Sequence, residues 1–315
     1  MTLTYRDGLA IFEIAAYVPC LIVAVFLLVR HGFGRSAGWY FLVAFSLSRI
    51  IGGSLELATI NDPTNIGLYT GSAILTNVGF SPLMLATLGL LSRLVDSINK
   101  NYQTFVTSKH LKFIETVITV GVILGIVGGV KASDALKQPG GTYQPQTLSK
   151  VGTILFIVSY VVTIAATVLI SFSASHADAG EHRIILAVAF SLPFLFVRLM
   201  YSCISTFAHN SKFSLIGGSP TILLCVALIE ELIVTITYEA VGLTLQKLPK
   251  KDQLRTAESV DSVEYNGNNT AYRHQPKRDN LALRIAKRTI IGRIVMALMP
   301  KKQNDVEMNQ QFVRK

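Results

Sequence analysis

Between residues 8 and 245 the chain alternates long apolar blocks with short polar connections. Seven blocks stand out, at about 8–30, 38–59, 67–93, 111–130, 150–174, 184–208 and 219–245. The hydrocarbon core of a bilayer takes roughly 20 apolar residues of helix. Each block is long enough to cross it, and the third and seventh are long enough to tilt or kink. In lipid a spanning segment has to satisfy its own backbone hydrogen bonds, so the blocks are read as helices. The pattern predicts an all-α membrane protein, with a seven-transmembrane-helix bundle over residues 1–245 and a tail over 246–315. No basic run precedes the first block, Glu13 interrupts it, and no A-x-A pattern follows it. It is therefore read as a retained span rather than a signal peptide.

Composition agrees with this. Charged residues make up 15% of the 315, against about 25% in a soluble domain. Mean hydropathy is +0.47. Lys and Arg in the connections set the orientation. One set of flanks carries Arg30, Arg35, Arg93, Lys100, Lys109, Lys112 and Arg183, followed by a tail with fifteen Lys and Arg; the other carries Arg6, Lys131, Lys137, Lys150 and Lys212. The expected topology has the N-terminus lumenal or extracellular and the C-terminus cytoplasmic, with an endomembrane such as the endoplasmic reticulum as the location. The net charge of +10 is accounted for by these flanks and the tail, and no zinc-finger or RNA-binding signature points to nucleic acid.

Residues 246–279 read as a polar linker of disordered composition. Residues 280–299, "NLALRIAKRTIIGRIVMALM", mix aliphatic side chains with Arg284, Lys287, Arg288 and Arg293. That mixture suits a basic interfacial helix on anionic lipids. The sequon at Asn268 falls on the cytoplasmic side in this topology. Cys20, Cys203 and Cys225 all lie within spans, where a disulfide is not expected.

The candidate chemistry lies in ionisable residues inside the spans: Glu13, Arg49, Glu56, Arg198, Glu230, Glu231 and Glu239. Each costs at least ~2.5–3.5 kcal/mol at mid-bilayer, so such groups pair, face the bundle interior or line a polar cavity. Arg49 and Glu56 are seven residues apart. They share a helix face but sit roughly 10.5 Å apart along it, so each needs a partner on another helix or water. Gly52, Gly53 and Ser54 leave a small-residue notch between them. In the expected topology, most of the intramembrane polar groups map to the middle and lumenal half of the bilayer, together with Asn77 near the middle of the third span and Tyr201 one turn beyond Arg198. Two arginines face five glutamates. In low dielectric the excess carboxyls are cheaper neutral than charged, and a neutral acid in an apolar pocket can act as a general acid. Glu230 and Glu231 point about 100° apart, so one of them is expected to face the centre.

Other chemistries lack their residues. A retinal protein needs a lysine in its last span, and residues 219–245 contain none. The six histidines are scattered, so no metal set is expected. No phosphate-binding loop, nucleophile elbow or CxxC occurs.

The runs "RIIGGSLELA", "NVGFSPLMLATLGLLSR" and "FLFVRLMYS", together with the basic tail, resemble a family of seven-helix integral membrane proteins of filamentous fungi. In size and topology that family is similar to the membrane-embedded terpene cyclases of meroterpenoid biosynthesis in secondary metabolism. The resemblance implies a metal- and cofactor-independent cyclase of isomerase or lyase type, acting on an apolar isoprenoid-type substrate by protonating an epoxide or olefin. The long tail departs from that cyclase type, and no catalytic residue carries over from it. The depth argument instead nominates Glu56, Glu230, Glu231 and Glu13 as acids or bases, with Arg49, Arg198, Tyr201 and Asn77 lining or positioning. The alternative is a non-enzymatic receptor-like sensor or a lipid or toxin transporter.

Overall fold

The computed structural model describes residues 4–32, 37–99, 106–136, 146–174, 180–208 and 218–245. The expected interfacial helix at 280–299 and the sequon at Asn268 lie outside the described residues. The described residues form helices and short turns, with no strand among them. In chain order these are α1 (Tyr5–His31), α2 (Ala37–Ala58), α3 (Ile66–Val78), α4 (Phe80–Ile98), α5 (Ser108–Leu136), α6 (Thr147–Ser173), α7 (His182–Phe207), α8 (Pro220–Leu223) and α9 (Ile229–Thr244). A π-helical turn, Leu224–Leu228, joins α8 to α9. Seven spans result, the third formed by α3 and α4 and the seventh by α8, the π turn and α9. The chain is therefore built as an integral membrane protein.

Local chemistry sets several boundaries. α1 starts three residues before its apolar block because Thr4 and Asp7 form a reciprocal capping box. Thr4 N donates to Asp7 Oδ2 at 2.8 Å, and Asp7 N donates to the Thr4 hydroxyl at 3.3 Å. This brings Arg6 into the first turn of the span. At the other end Gly32, with φ +83°, stops the helix in a conformation that side chains resist.

The third span breaks at Gly79. Pro82 has no N–H to give Val78, four residues back, and the Ser81 hydroxyl bonds that carbonyl instead at 2.6 Å. The helix resumes as α4, the most buried element of the bundle. Two-thirds (67%) of the apolar window in this span is buried, against 28–44% in the others. The remaining helices surround it: α1 packs on α2, α2 on α3, α3 on α5, α5 on α6, α6 on α7, α7 on α9, and α9 back on α1. Their outward faces carry exposed apolar side chains such as Ile22, Val29, Phe113, Phe172 and Leu186, the surface a bilayer would cover.

α5 and α6 meet along small residues, Gly121, Gly125 and Gly128 on one side and Ser149 and Gly152 on the other. A Cβ at Gly152 would lie 2.8 Å from the Gly121 carbonyl oxygen. This is backbone-to-backbone packing of the small-xxx-small kind.

Candidate functional site

Two arginines from other helices approach the third span at its Gly79 interruption. Arg49 of α2 lies against Gly79: a Cβ there would come within 3.1 Å of Nη2. Any larger residue at 79 would push the guanidinium away. Arg198 of α7 donates from Nη2 to the Thr76 carbonyl at 2.6 Å. Thr76 is in the last turn of α3, where carbonyls lack helical donors and the helix dipole is negative, which favours a cation. Arg198 Nη1 also donates to Ser202 Oγ at 2.7 Å.

Glu231 of α9 joins the two. Its Oε1 accepts from Arg198 Nε at 2.5 Å, and its Oε2 accepts from Arg49 Nη2. Arg49 Nη1 donates to Glu13 Oε1 of α1 at 3.2 Å. The four charges cancel, two arginines against two glutamates. Glu231 is 1% exposed, Arg198 0% and Arg49 2%, so these three are buried, while Glu13 is half-buried. Aromatic faces complete it: the Arg49 guanidinium lies 5.7 Å from the Phe45 ring centroid and that of Arg198 5.5 Å from Tyr201. Arg49 Nε is buried with no hydrogen-bond partner among the described residues.

The remaining candidates separate. Glu56, on the same face of α2 as Arg49, pairs with Arg6 of α1 rather than joining the central cluster. The opening capping box of α1 is what places Arg6 within reach. Of the adjacent carboxyls, Glu231 faces the centre. Glu230 is half-buried and makes no ion pair among the described residues, and its buried Oε2 has no hydrogen-bond partner. Glu239, two turns further along α9, is buried against Cys20, also with one oxygen unpartnered among the described residues. Tyr201 is buried beside Arg198, and Asn77 is half-buried next to Thr76. Among the described residues no three His, Cys, Asp or Glu side chains come together as a metal site.

Sequence reasoning missed the carbonyl of Thr76, the approach at Gly79, the hydroxyl of Ser202 and the partner Arg6. Gly79 and Pro82 carried a visible signal of the break, but nothing local marks a carbonyl as an arginine's ligand. A separate apolar groove of about 560 Å³ runs between α6 and α7, with Tyr160, Pro193, Phe196 and Met200 in its walls. It uses the opposite face of α7 from Arg198, so the helix separates it from the charged cluster.

A family model described as a domain of unknown function, DUF7702, matches residues 3–248. That stretch contains all seven spans and the whole charged cluster. No curated protein and no solved structure matches the chain.

Proposed function

The chain belongs to the DUF7702 family, and for this member we propose an acid-initiated cyclisation of an epoxide-bearing prenyl or meroterpenoid substrate inside the bilayer, with Glu230 as the proton donor. The observation that carries this reading is the buried, unpartnered oxygen of Glu230 beside a cluster whose own carboxylates are neutralised by arginines. Glu13, Glu231 and Glu56 are each held by an arginine, which leaves Glu230 as the acid next to the centre with no ion pair among the described residues. A carboxyl of this kind can hand a proton to an epoxide oxygen. The C–O bond then breaks toward a carbocation, and an internal alkene or hydroxyl captures it. A carbon-bound or oxygen-bound proton returns to the carboxylate, so product and substrate are isomers. The likeness in size and topology to membrane-embedded terpene cyclases supports the same reading.

The test supplies epoxy-farnesyl compounds to membranes containing the full chain and looks for isomeric products. Wild type is expected to form them. Glu230→Gln should lower the rate at least about a hundredfold while melting like wild type. An inert wild type across a panel of epoxyprenyl substrates would overturn the cyclase.

One observation favours a second reading. Glu231 ties α9 to both α2 and α7 in a single bidentate bridge. Such a bridge is a natural lock for a receptor-like sensor or transporter that moves one of these helices. This reading survives an inert wild type and fails if epoxyprenyl isomers form.

The basic flanks and tail further support a cytoplasmic C-terminus in an endomembrane, with the tail on anionic lipid. A reporter fused after residue 245 is then expected to be cytoplasmic and one at residue 1 lumenal. Both ends on one side would refute that orientation.

A further inference from the structure

A second buried charged group closes the end of the bundle from which the tail departs. At its centre is His31, the last residue of α1. Its Nε2 lies 3.1 Å from the Gly242 carbonyl oxygen of α9, and its Nδ1 lies 3.3 Å from Arg93 Nη1 of α4. Arg93, a flank charge by sequence, is 2% exposed. It grips Glu181, the residue before α7, through Nε at 3.1 and 3.2 Å and Nη2 at 2.6 Å. The imidazole stacks on Trp39 of α2 with centroids 5.4 Å apart. Four of the seven spans and the lead-in to α7 thus meet on one side chain and its partner.

The chemistry of the partners fixes the state of the imidazole. A carbonyl oxygen only accepts and a guanidinium only donates. Nε2 therefore carries the proton and Nδ1 takes Arg93's hydrogen bond, so the closed arrangement requires a neutral ring. A second proton has only Nδ1 to occupy. There it would set a donor against a donor and a positive ring against a positive guanidinium at 3.3 Å.

Among the described residues, no neighbouring group set against the ring relieves this without breaking the arrangement. On α1, Arg30 adds a further positive charge and is committed to the Leu243 carbonyl at 3.0 Å. From the lead-in to α7 comes the anion Glu181, already held by Arg93. Trp39 from α2 and the Gly242 carbonyl from α9 bring no charge.

We propose that His31, Arg93 and Glu181 form a pH-sensitive clasp. With His31 neutral it holds α1 and α9 to α4 and α7. When His31 takes up a proton the His31–Arg93 bond is lost and the tail-side ends of these helices separate. The device stands on the hydrogen-bond roles alone and is independent of the cyclase chemistry. Histidine is the side chain whose charge changes in the neutral range, which makes a device of this kind usable in a cell.

Trp39 is the chain's single tryptophan, so its emission reports on the ring stacked against it. The full chain in lipid nanodiscs is titrated from about pH 8 to about pH 5, following Trp39 fluorescence and amide hydrogen exchange by mass spectrometry. In wild type the emission should fall in a single transition. In the same pH interval, exchange in residues 93–98 and 240–245 should rise about tenfold. Exchange around residue 49 should stay unchanged.

His31→Gln can keep both hydrogen bonds through its amide but takes no proton. It should be flat in both readouts and remain closed. In Arg93→Gln the emission transition should persist without the tenfold step in exchange, because the repelling cation is gone. A wild type flat in exchange, or a His31→Gln protein that still opens, overturns the clasp. If Arg93→Gln proves unstable, Glu181→Gln provides the second variant. That change takes the Glu181 charge from Arg93 and weakens the closed arrangement, so the opening transition should move to higher pH, and an unmoved transition again counts against the proposal.

Discussion

Glu231→Gln should destabilise the bundle by roughly 3–5 kcal/mol, the cost of breaking a buried ion pair by removing one partner. The side chain keeps its shape and loses its charge, so Arg49 and Arg198 are left buried with Glu13 as the one remaining anion of the cluster. Arg198 loses its only ion-pair partner among the described residues and retains hydrogen bonds to the Thr76 carbonyl and Ser202. Thermal unfolding of the detergent-solubilised protein measures the loss. The adjacent Glu230→Gln serves as the control and should stay within about 1 kcal/mol of wild type, since that carboxyl makes no ion pair among the described residues. Equal melting of the two variants would show that the Glu231 bridge does not hold the helices.

The second large effect is expected on the other side of the bundle. Gly152→Leu should cost about 2–3 kcal/mol, at the upper end of ordinary overpacking. The new Cβ would sit 2.8 Å from the Gly121 carbonyl oxygen and 3.3 Å from the Gly125 nitrogen. Both are backbone atoms, so relief requires α5 and α6 to move apart. Gly125→Ala makes the opposite prediction. Its Cβ would meet nothing within 4 Å, and replacing a helical glycine by alanine gains about 0.5–1 kcal/mol. If the unfolding temperature drops equally for both variants, close approach at Gly152 is not what packs these helices.

The seven spans were legible because the bilayer imposes a length that a reader of the sequence can count. Their ends were less so. The apolar window placed the start of the first span at residue 8, while the Thr4–Asp7 capping box starts the helix at Tyr5. That polar signal contributes nothing to hydropathy, yet it brings Arg6 to Glu56. The residues of the charged cluster were legible as a set, because charge inside an apolar run is conspicuous. Their pairing was not: it depends on which helices are neighbours, and Arg49 and Glu231 lie 182 positions apart. Glu231 rather than Glu230 faces inward through the phase of α9, which follows a π-helical turn that no local pattern marks. Arg93 misled for a related reason. At a span end it reads as a flank charge, and only the fold brings Glu181 and His31 around it.

The spacing of the ion pairs along the chain also bears on biosynthesis. A ribosome delivers these helices in order, and an arginine released into lipid before its counter-ion is made is a liability. Arg49 emerges long before Glu231, but Glu13 precedes it by 36 positions in the neighbouring helix. Arg6 and Glu56 are likewise 50 apart within the same hairpin. Arg198 waits only 33 positions for Glu231. The first two helices can therefore leave the translocon as one matched hairpin and the last two as another. The bond from Arg49 to Glu231, which spans most of the domain, is then the one that forms last, when the newly made end of the bundle docks against the oldest.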